Sequence, residues 1–471
     1  DIFDAIYDTD DINVILPRHE QGLIHAADGY ARSTGKVGVC LVTSGPGATN
    51  LVTGIATANY DSVPLVCFTG QVSTELIGND AFQEVDIVGI TRSICKYAVT
   101  VRKRENLAEI IKKAFYIAKT GKPGVVVVDL PKDIQRAYGD DQYPNEIEIR
   151  GYKPNTSVHM GQIKKAVDAL NHAEKPVFLI GGGVNISHAQ KEMLQLAEIT
   201  DVPVITTIMG KGAIPTNHRL YVGNIGIHGS YGANTAISQC DVLFSIGTRF
   251  NDRITGKIEK FASNASIIHV DIDPASISRN IAVDIPIVAD AKKAICALIK
   301  KVQPLNISKW VKQIDNWKLQ HPINMGKCGL TPEKIIHHIN DVYNNAIITT
   351  DVGQNQLWTT QFLDLDENKQ MLTSGGLGTM GYGFPAAIGA KIGNPKKDVV
   401  VISGDGGMQM NIQEMATAIV YELPITICIL NNGYLGNVRQ WQEMFFDKRY
   451  SSTCLRYRKI CAAKCNNTDK D

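Results

Sequence analysis

The sequence lacks long hydrophobic runs, and its two most apolar stretches, residues 124–130 and 423–430, are only as long as single strands. A helix that crosses a membrane needs about 20 consecutive apolar residues. We therefore expect no transmembrane segment and no membrane partner. The chain also lacks an initiator Met and a targeting segment and ends in a polar stretch, so we expect a fragment of a longer protein.

An excess of charge of either sign is also missing. The chain has 48 Lys and Arg residues and 47 Asp and Glu residues, which leaves a net charge of +1. Proteins that bind nucleic acids usually carry a marked basic surplus, so we expect no nucleic-acid partner. Any anionic ligand must be held by a local group of residues.

Cysteine spacing of the kind found in disulfide frameworks is absent. The ten Cys residues are spread singly, and several, such as Cys40, Cys67 and Cys428, lie within apolar, strand-like runs. This pattern is typical of buried, reduced thiols, and we therefore expect a cytoplasmic protein. The three Cys residues within 454–465 match no zinc-binding spacing, so we expect no metal site there.

What the chain does contain is a regular alternation of strand-like and helix-length segments. Its 471 residues correspond to about three domains of ~150 residues. The alternation predicts an α/β fold class with three doubly wound parallel sheets. We predict domains at residues 1–145, 155–320 and 328–471, with a polar linker at 138–156.

The predicted strands are short apolar runs bounded by polar or Gly-containing segments. A helix is expected to begin after Thr331, because Thr is a good N-cap and Pro332 suits the first helical position. The predicted strands are residues 14–16, 37–43, 64–68, 124–129, 177–180, 204–208, 242–246, 267–271, 346–350, 399–402 and 425–430.

Two polar segments follow two strands of the predicted third sheet. The Gly-Asp-Gly segment at 404–406 comes directly after strand 399–402, and an Asn pair at 431–432 comes directly after strand 425–430. The carboxyl ends of parallel strands meet at one edge of a sheet, and Mg²⁺ prefers carboxylate and carbonyl oxygens. The spacing resembles the diphosphate-binding motif of thiamine-diphosphate enzymes, with the metal ligands on Asp405 and Asn432. The alternative is a pair of ordinary turns.

A second motif, Arg18-His19-Glu20-Gln21, precedes the predicted helical run 22–31. Beside the pyrimidine ring of thiamine, Glu20 would exchange a proton or hydrogen bond with the ring, so that the exocyclic nitrogen removes the thiazolium C2 proton. The alternative is a first-turn carboxylate that interacts favourably with the helix dipole.

The motif at residues 18–22, together with residues 43–50 and 80–84, resembles the pyrimidine-binding domain of acetohydroxyacid synthases, also called acetolactate synthases. The resemblance extends from about residue 11 to residue 455. It implies a pyrimidine-binding domain, a central FAD-binding domain and a diphosphate-binding domain. The implied reaction decarboxylates pyruvate on thiamine diphosphate and condenses the resulting hydroxyethyl carbanion with pyruvate or 2-oxobutyrate, in branched-chain amino acid synthesis.

The segment 247–256 resembles the family signature that binds the second substrate. By this resemblance Arg253 holds the carboxylate of the second 2-oxo acid, a task that suits a planar guanidinium, and Asp252 orients it. The alternative is a surface ion pair. Asn251 departs from the usual Asp of this signature.

The same resemblance implies a structural FAD, since the net reaction transfers no electrons. Each position also has a plain structural interpretation, such as a turn or a helix cap. The implied FAD-binding residues are Arg92, Gly226, His228, Gly247, Arg249, Asp271 and Asp290.

Further active-site positions follow from the resemblance alone. Val352 and Met380 correspond to residues that hold the cofactor bent, and Trp441 to one that favours 2-oxobutyrate. Alone, each is more often part of a core. The remaining implied residues are Phe82, Gln83 and Lys132 in the first domain and Gly353, Gln354, Gly404 and Gly406 in the third.

The preferred hypothesis is therefore a transferase with thiamine diphosphate, Mg²⁺ and FAD as cofactors and small 2-oxo acids as substrates. In this superfamily the two domains that correspond to those of Glu20 and Asp405 typically meet across a subunit interface. The resemblance therefore implies a homodimer or a dimer of dimers. A small regulatory subunit is a further possible partner. The alternatives are a flavin-free acetolactate synthase, another thiamine-diphosphate decarboxylase or carboligase, and a truncated, inactive fragment.

Overall fold

The structure is a computed structural model that describes residues 1–140, 142–155, 157–326 and 329–455. The chain divides into two compact units. The first comprises Asp1–Gly151, Ala346–Gln356 and Leu372–Asp471, and the second comprises Tyr152–Asn345 and Leu357–Met371.

The first sheet belongs to the first unit and has four parallel strands in the order β1-β2-β4-β3. Its strands are β1 (Gly38–Val42), β2 (Leu65–Gln71), β3 (Tyr97–Thr100) and β4 (Val125–Pro131). The helices of this region are α1 (Ile2–Tyr7), α2 (Glu20–Thr34), α3 (Pro46–Thr49), α4 (Val52–Tyr60), α5 (Ile87–Thr91), α6 (Leu107–Lys119) and α7 (Lys132–Arg136).

The predicted strand at 14–16 is wrong, because these residues are irregular and pair with no strand. Val14 and Leu16 are exposed, and the backbone N–H of Leu16 donates to the Tyr421 hydroxyl at 2.8 Å. A side chain therefore satisfies the donor that a neighbouring strand would otherwise occupy.

The second unit is built on six parallel strands in the order β10-β9-β8-β5-β6-β7. Its strands are β5 (Pro176–Ile180), β6 (Val204–Thr206), β7 (Tyr221–Asn224), β8 (Val242–Ile246), β9 (Ser266–Asp271) and β10 (Ile285–Val288). The helices of this region are α8 (Met160–Asn171), α9 (Gly182–Ile186), α10 (Gln190–Thr200), α11 (Tyr231–Gln239), α12 (Asp252–Thr255), α13 (Ala291–Ile299) and α14 (Ser308–Gln320).

The strand order of this sheet reverses between β5 and β8. The chain first builds outward through β6 and β7 and then returns to build β9 and β10 on the other side. This is the doubly wound order whose crevice, at the carboxyl ends of the two central strands, holds dinucleotides. The edge strands β7 and β10 were not predicted, since Gly223, Asn224 and Pro286 are poor strand formers and such residues are tolerated at sheet edges.

The third sheet has the order β12-β11-β13-β14. Its strands are β11 (Ala346–Thr350), β12 (Gln370–Leu372), β13 (Asp398–Gly404) and β14 (Thr426–Leu430). The helices are α15 (Pro332–Val342), α16 (Gln354–Phe362), α17 (Gly383–Gly393), α18 (Asp405–Met410), α19 (Met415–Val420) and α20 (Gly436–Phe445). The Thr331 side chain accepts from the Lys334 N–H, which confirms the predicted cap.

The predicted α/β fold class with three sheets of parallel strands is thus confirmed, whereas the three predicted domain boundaries stay a prediction. No helix in the described part of the chain is long and apolar enough to cross a membrane. The seven cysteines that the structure describes are all free, and Cys40, Cys67 and Cys240 are buried. Cys328, Cys461 and Cys465 lie outside the described residues.

Helices α2 and α17 join the first and third sheets within the first unit. A Cβ added at Gly29 would lie 2.0 Å from the Ala386 carbonyl oxygen, and one added at Gly389 would lie 1.7 Å from that of Ala26. Real Cβ atoms do not come so close to backbone oxygens. Glycine at these two positions therefore allows direct contact between the helix backbones.

A buried ionic cluster accompanies this helix contact. The guanidinium of Arg32 binds Asp28 at 2.6 Å and Asp61 at 3.0 Å. The Tyr382 hydroxyl donates to Asp28 at 2.6 Å. Because both carboxylates face one guanidinium and further donors, the charges are paired inside the unit, where an unpaired charge would be strongly destabilising.

His25 lies beside this cluster and predicts a pH-dependent stability. It is fully buried against the edge of Tyr382, and neither ring nitrogen has a hydrogen-bond partner among the described residues. Burial, and secondarily the charge of Arg32, lowers the pKa of His25 to about 3. In the unfolded chain the group titrates near its ordinary pKa of 6.5. Between pH 6.5 and about 3, His25 therefore binds a proton in the unfolded state but not in the folded state.

The free energy of unfolding should therefore decrease as the pH falls from 6.5, by up to ~1.4 kcal/mol per pH unit from this group. Denaturant unfolding at several pH values between 5 and 7.5 gives the slope of the unfolding free energy against pH. This slope should be smaller for the His25→Leu variant than for the unsubstituted protein. His338→Gln, at an exposed position of α15, is the control and should leave the slope unchanged. Equal slopes for His25→Leu and the unsubstituted protein would contradict this account.

Candidate active site

The carboxylate of Glu20 lies where two of the sequence motifs meet. Glu20 is the first residue of α2 and is half-buried. Its Oε2 accepts a hydrogen bond from Asn50 Nδ2 at 3.0 Å. A Cβ added at Gly47 would lie 3.5 Å from Oε1, so Gly47 borders this oxygen. The segments 18–21 and 43–50 therefore meet around one carboxylate.

Glu414, which the sequence did not single out, holds the start of α2. It is buried, and its carboxylate accepts from the backbone N–H of Arg18 at 3.1 Å and of His19 at 3.0 Å. The Thr417 hydroxyl donates to the same carboxylate at 2.7 Å. These charge-assisted bonds determine the position from which the Glu20 side chain projects.

The segment around Phe82 and Gln83 approaches the Gly-rich turn before α3. A Cβ added at Gly45 would lie 2.8 Å from the Gln83 carbonyl oxygen, and Gly45 itself has a φ of 58°. Gln83 has a φ of 61°, a left-handed conformation that is unfavourable for a side-chain-bearing residue. Phe82 is 90% exposed. Lys132 is exposed and begins α7, directly after the carboxyl end of β4.

Two strand ends of the third sheet lie side by side, as predicted. Gly404 and Leu430, the last residues of β13 and β14, are register partners. Asp405 and the Asn pair at 431–432 therefore follow two neighbouring strand ends. Gln354, just after β11, accepts from Asn432 Nδ2 at 3.2 Å through its Oε1. The metal-binding role of Asp405 and Asn432 stays a prediction.

The orientation of these loops depends on a buried carboxylate that was also missed. Asp351 accepts from the backbone N–H groups of Val352, Gly381 and Gly383 at 2.8, 3.0 and 3.1 Å. Burial raises its pKa. A Cβ added at Gly407 would lie 2.3 Å from Asp351 Oδ1. Asp351 thereby ties the loop after β11 to the segment before α17 and lies against α18.

The predicted apolar residues border the same loops. Val352 lies 3.9 Å from a Cβ added at Gly378, and the Met380 Cε lies 4.0 Å from one added at Gly406. Gly353 has a φ of 139°, which only glycine adopts easily. Trp441 lies on α20, with its ring edge-on to Phe445.

In the second unit, the loops after β5 and β8 touch at the point where the strand order reverses. The N–H of Gly183 donates to the carbonyl of Gly247 at 3.2 Å. A Cβ added at Gly181 would lie 2.1 Å from that same carbonyl oxygen. These glycines are therefore required for backbone contact, and Gly247 has a φ of 68°. Arg249 follows in the same loop and is half-buried.

Three other predicted residues of this unit lie on one surface. The N–H of Ile227 donates to the Arg253 carbonyl at 3.2 Å, and a Cβ added at Gly226 would lie 2.5 Å from the same oxygen. Burial, and then the charge of Arg253, lowers the pKa of His228. The Arg253 side chain is 65% exposed and lies 3.8 Å from the Asp252 carboxylate, a separation at which a surface pair contributes little stability.

The remaining predicted FAD-binding residues have structural contacts of their own. Asp271 ends β9 and accepts from the Asp273 N–H at 2.9 Å. Asp290 caps α13 through the Lys293 N–H at 3.1 Å. Arg92, in the first unit, is exposed at the end of α5. No group of three or more His, Cys, Asp or Glu side chains within the described residues could hold a metal ion.

Comparison with known protein families matches three separate regions of the chain. Residues 1–90 match the N-terminal TPP binding domain of thiamine pyrophosphate enzymes, residues 163–298 their central domain, and residues 351–465 their C-terminal TPP binding domain. The fold and these matches define a thiamine-pyrophosphate-dependent enzyme.

Similarity to whole proteins is more specific. The probable acetolactate synthase large subunits of Methanococcus aeolicus and Methanocaldococcus jannaschii are 48% and 49% identical to the chain, over 96% of it and 79% of each relative. The acetolactate synthase isozyme 3 large subunit of Escherichia coli is 44% identical over 97% of the chain and 81% of the relative. The chain belongs to the acetolactate synthase large subunit family.

The role of Glu414 leads to a stability prediction. Glu414→Ala should lower the free energy of unfolding by about 2 kcal/mol or more, because it leaves two backbone donors without their charged acceptor. Glu414→Gln should cost less, since the amide oxygen still accepts. Urea denaturation measures both. Glu443→Ala, at an exposed position of α20, is the control and should stay within about 0.5 kcal/mol of the unsubstituted protein. An equal effect of Glu414→Ala and Glu443→Ala would contradict the anchoring role.

Proposed function

We propose that the chain is the catalytic large subunit of an acetolactate synthase. It decarboxylates pyruvate with thiamine diphosphate and joins the two-carbon unit to a second 2-oxo acid. With pyruvate the product is 2-acetolactate, and with 2-oxobutyrate it is 2-aceto-2-hydroxybutyrate, both precursors of branched-chain amino acids. The observation that carries the proposal is identity of 44–49% to acetolactate synthase large subunits over 96–97% of the chain.

Asp405 and Asn432 would hold Mg²⁺, which in turn would neutralise the diphosphate of the coenzyme. Both side chains follow adjacent strand ends and offer hard oxygen atoms of the kind that Mg²⁺ prefers. Gly404 and Gly406 flank Asp405 and allow close approach of a ligand to the backbone, while Gly353 and Gln354 border the same edge of the sheet. The residues present therefore fit a Mg²⁺-bound diphosphate.

Glu20 would bind the pyrimidine ring of thiamine and exchange a proton with it. Asn50 donates a hydrogen bond to one carboxylate oxygen, and Gly47 borders the other. A carboxylate held in one orientation by an amide donor and an anchored helix start can transfer a proton along a defined direction. Bound thiamine diphosphate supplies the carbon nucleophile and the electron sink, so the protein needs no nucleophile of its own.

The other predicted residues would shape the space around the reacting carbons. Val352 and Met380 would support the bent coenzyme, and Trp441 would contact the second 2-oxo acid. Arg253 has an exposed guanidinium, which suits a substrate carboxylate better than a role in stability. Phe82, Gln83 and Lys132 would complete the pocket from the first sheet. The left-handed φ of Gln83 is strain of the kind that concentrates at functional sites.

FAD would bind to the second unit. The strand order of its sheet is that of dinucleotide-binding folds, and the loops after β5 and β8 lie at the point of reversal. Asn251 Oδ1 in the second loop is buried and has no hydrogen-bond partner among the described residues. A buried carbonyl oxygen without a donor is unfavourable, and a bound nucleotide would supply one. Arg92, Gly226, His228, Gly247, Arg249, Asp271 and Asp290 are the residues proposed to surround it.

The active assembly would contain at least two copies of the chain, with Glu20 of one copy and Asp405 of another at the same coenzyme. Single copies expose large apolar side chains, including Met410, Trp441, Met444 and Phe445 in the third-sheet region. Large apolar side chains that are exposed in a single copy are often covered by a second chain in an assembly. The relatives are named large subunits, which supports a small subunit as a further partner. The free cysteines support a cytoplasmic location.

The role of Glu20 can be tested directly. With thiamine diphosphate, Mg²⁺ and FAD present, Glu20→Gln should lower the rate of acetolactate formation from pyruvate by ~10²- to 10⁴-fold, the usual contribution of a positioned acid or base. Glu109→Gln, on the surface of α6, is the control and should retain full activity. Similar rates for Glu20→Gln and the control would remove Glu20 from the mechanism.

The metal site leads to a binding prediction. Asp405→Ala should weaken Mg²⁺-dependent binding of thiamine diphosphate by at least ~10- to 100-fold. Residues that only hydrogen-bond to a metal ligand contribute this much to metal affinity, and a direct ligand should contribute no less. Isothermal titration measures the affinity. Asp398→Ala changes an exposed carboxylate at the opposite end of the same strand and should have no effect. Unchanged affinity in Asp405→Ala would reassign the 404–406 segment to a structural role.

A further inference from the structure

In the second unit, two side chains from outside the loop hold the backbone of residues 247–251. His269 Nε2 lies 2.9 Å from the Thr248 carbonyl oxygen. Asn280 Nδ2 donates to the carbonyl oxygens of Arg249 at 2.9 Å and Phe250 at 3.1 Å. Three successive carbonyl groups of the loop are thus each bound by a side-chain donor. The loop begins where β8 ends, at the point where the strand order reverses.

The His269 contact defines the protonation of its ring. A carbonyl oxygen only accepts, so the proton must lie on Nε2, and Nδ1 is left as an acceptor without a partner among the described residues. The ring is fully buried, edge-on to Phe250 with 5.0 Å between the ring centroids. Burial lowers the pKa of His269 to about 4, so the ring is neutral near pH 7. The neutral His269 ring therefore has a single donor, Nε2–H, and this donor binds the Thr248 carbonyl of the loop.

The loop would not adopt this conformation without such support. Phe250 has a φ of 49°, although its side chain is large and buried. A left-handed conformation costs a residue with a Cβ roughly 1–2 kcal/mol. The two Asn280 bonds bracket this strained residue, since they bind its own carbonyl and that of the residue before it. Asn280 itself is exposed, so its contribution to the core is small.

We propose that His269 and Asn280 are positioning residues for a bound flavin dinucleotide. By holding the 247–251 loop they set the direction of Arg249 and place the buried Asn251 oxygen toward the ligand. Neither residue needs to touch the dinucleotide, and neither was among the residues that the sequence indicated. The inference rests on the proposed function, specifically on FAD as the cofactor of this unit.

The test is a fluorescence titration of flavin-stripped protein with FAD. Asn280→Ala should raise the FAD dissociation constant roughly 5- to 10-fold, the effect of losing one to two net hydrogen bonds that order the loop. Asn264→Ala is the matched control. Asn264 is also an exposed Asn, but it lies before the first residue of β9, whereas Asn280 follows the last residue of that strand. The control should bind FAD like the unsubstituted protein.

Two further measurements separate positioning from a general structural effect. The affinity for thiamine diphosphate, whose proposed ligands lie in the other unit, should be the same in Asn280→Ala and in the unsubstituted protein. His269→Gln, whose amide can still donate to Thr248, should retain more FAD affinity than His269→Met, which has similar bulk and no donor. Equal FAD affinity of His269→Gln and His269→Met would contradict a role through the hydrogen bond.

The outcomes distinguish this inference from the function on which it rests. If the unsubstituted protein binds FAD and Asn280→Ala binds it equally well, the positioning role is overturned while the flavin assignment stands. If the unsubstituted protein binds no FAD, the flavin assignment is overturned and the positioning role with it. A 5- to 10-fold loss in Asn280→Ala, with thiamine-diphosphate affinity unchanged, supports both.

Discussion

The contact between α2 and α17 within each copy of the chain is the constraint that positions the residues each copy would contribute to a shared active site. Glu20 begins α2, and Met380 lies just before α17. Gly29 and Gly389 let the two backbones touch, and the buried pairing of Arg32 with Asp28 and Asp61 stabilises one arrangement of the helices. A buried ion pair contributes little net stability, but breaking it is costly, so it disfavours alternatives to this arrangement.

The loops of the site are held by side chains that bind backbone groups. Glu414 accepts from two N–H groups before α2, and Asp351 accepts from three N–H groups around the third sheet. His269 and Asn280 do the reverse and donate to carbonyl groups. Such bonds give irregular segments the defined geometry that strands and helices obtain from their own ladders. Because these other side chains hold the loops, the residues proposed to contact the ligands need not do so.

Much of the fold was predictable because the strands of parallel sheets are short, apolar and bounded by polar turns. β8 and β11 agree with their predicted bounds, and Thr331 caps α15 as expected. The four missed strands, β3, β7, β10 and β12, all lie at sheet edges. In β7 and β10, Gly223 and Pro286 oppose strand formation, and pairing with a neighbouring strand overrides them. The prediction of a strand at 14–16 was wrong for the opposite reason. These residues are apolar enough for a strand, but no neighbouring strand pairs with them.

The sequence by itself determined the family, the three α/β sheets and the positions of the motifs, because these features depend on local residue order. The strand ends that carry Asp405 and Asn432 meet for a general reason: parallel pairing places such ends together. The tertiary structure alone decided which side chains orient these motifs. Glu414 reaches His19 across 395 positions, and no spacing rule encodes a hydrogen bond whose partners meet only after two helices have packed.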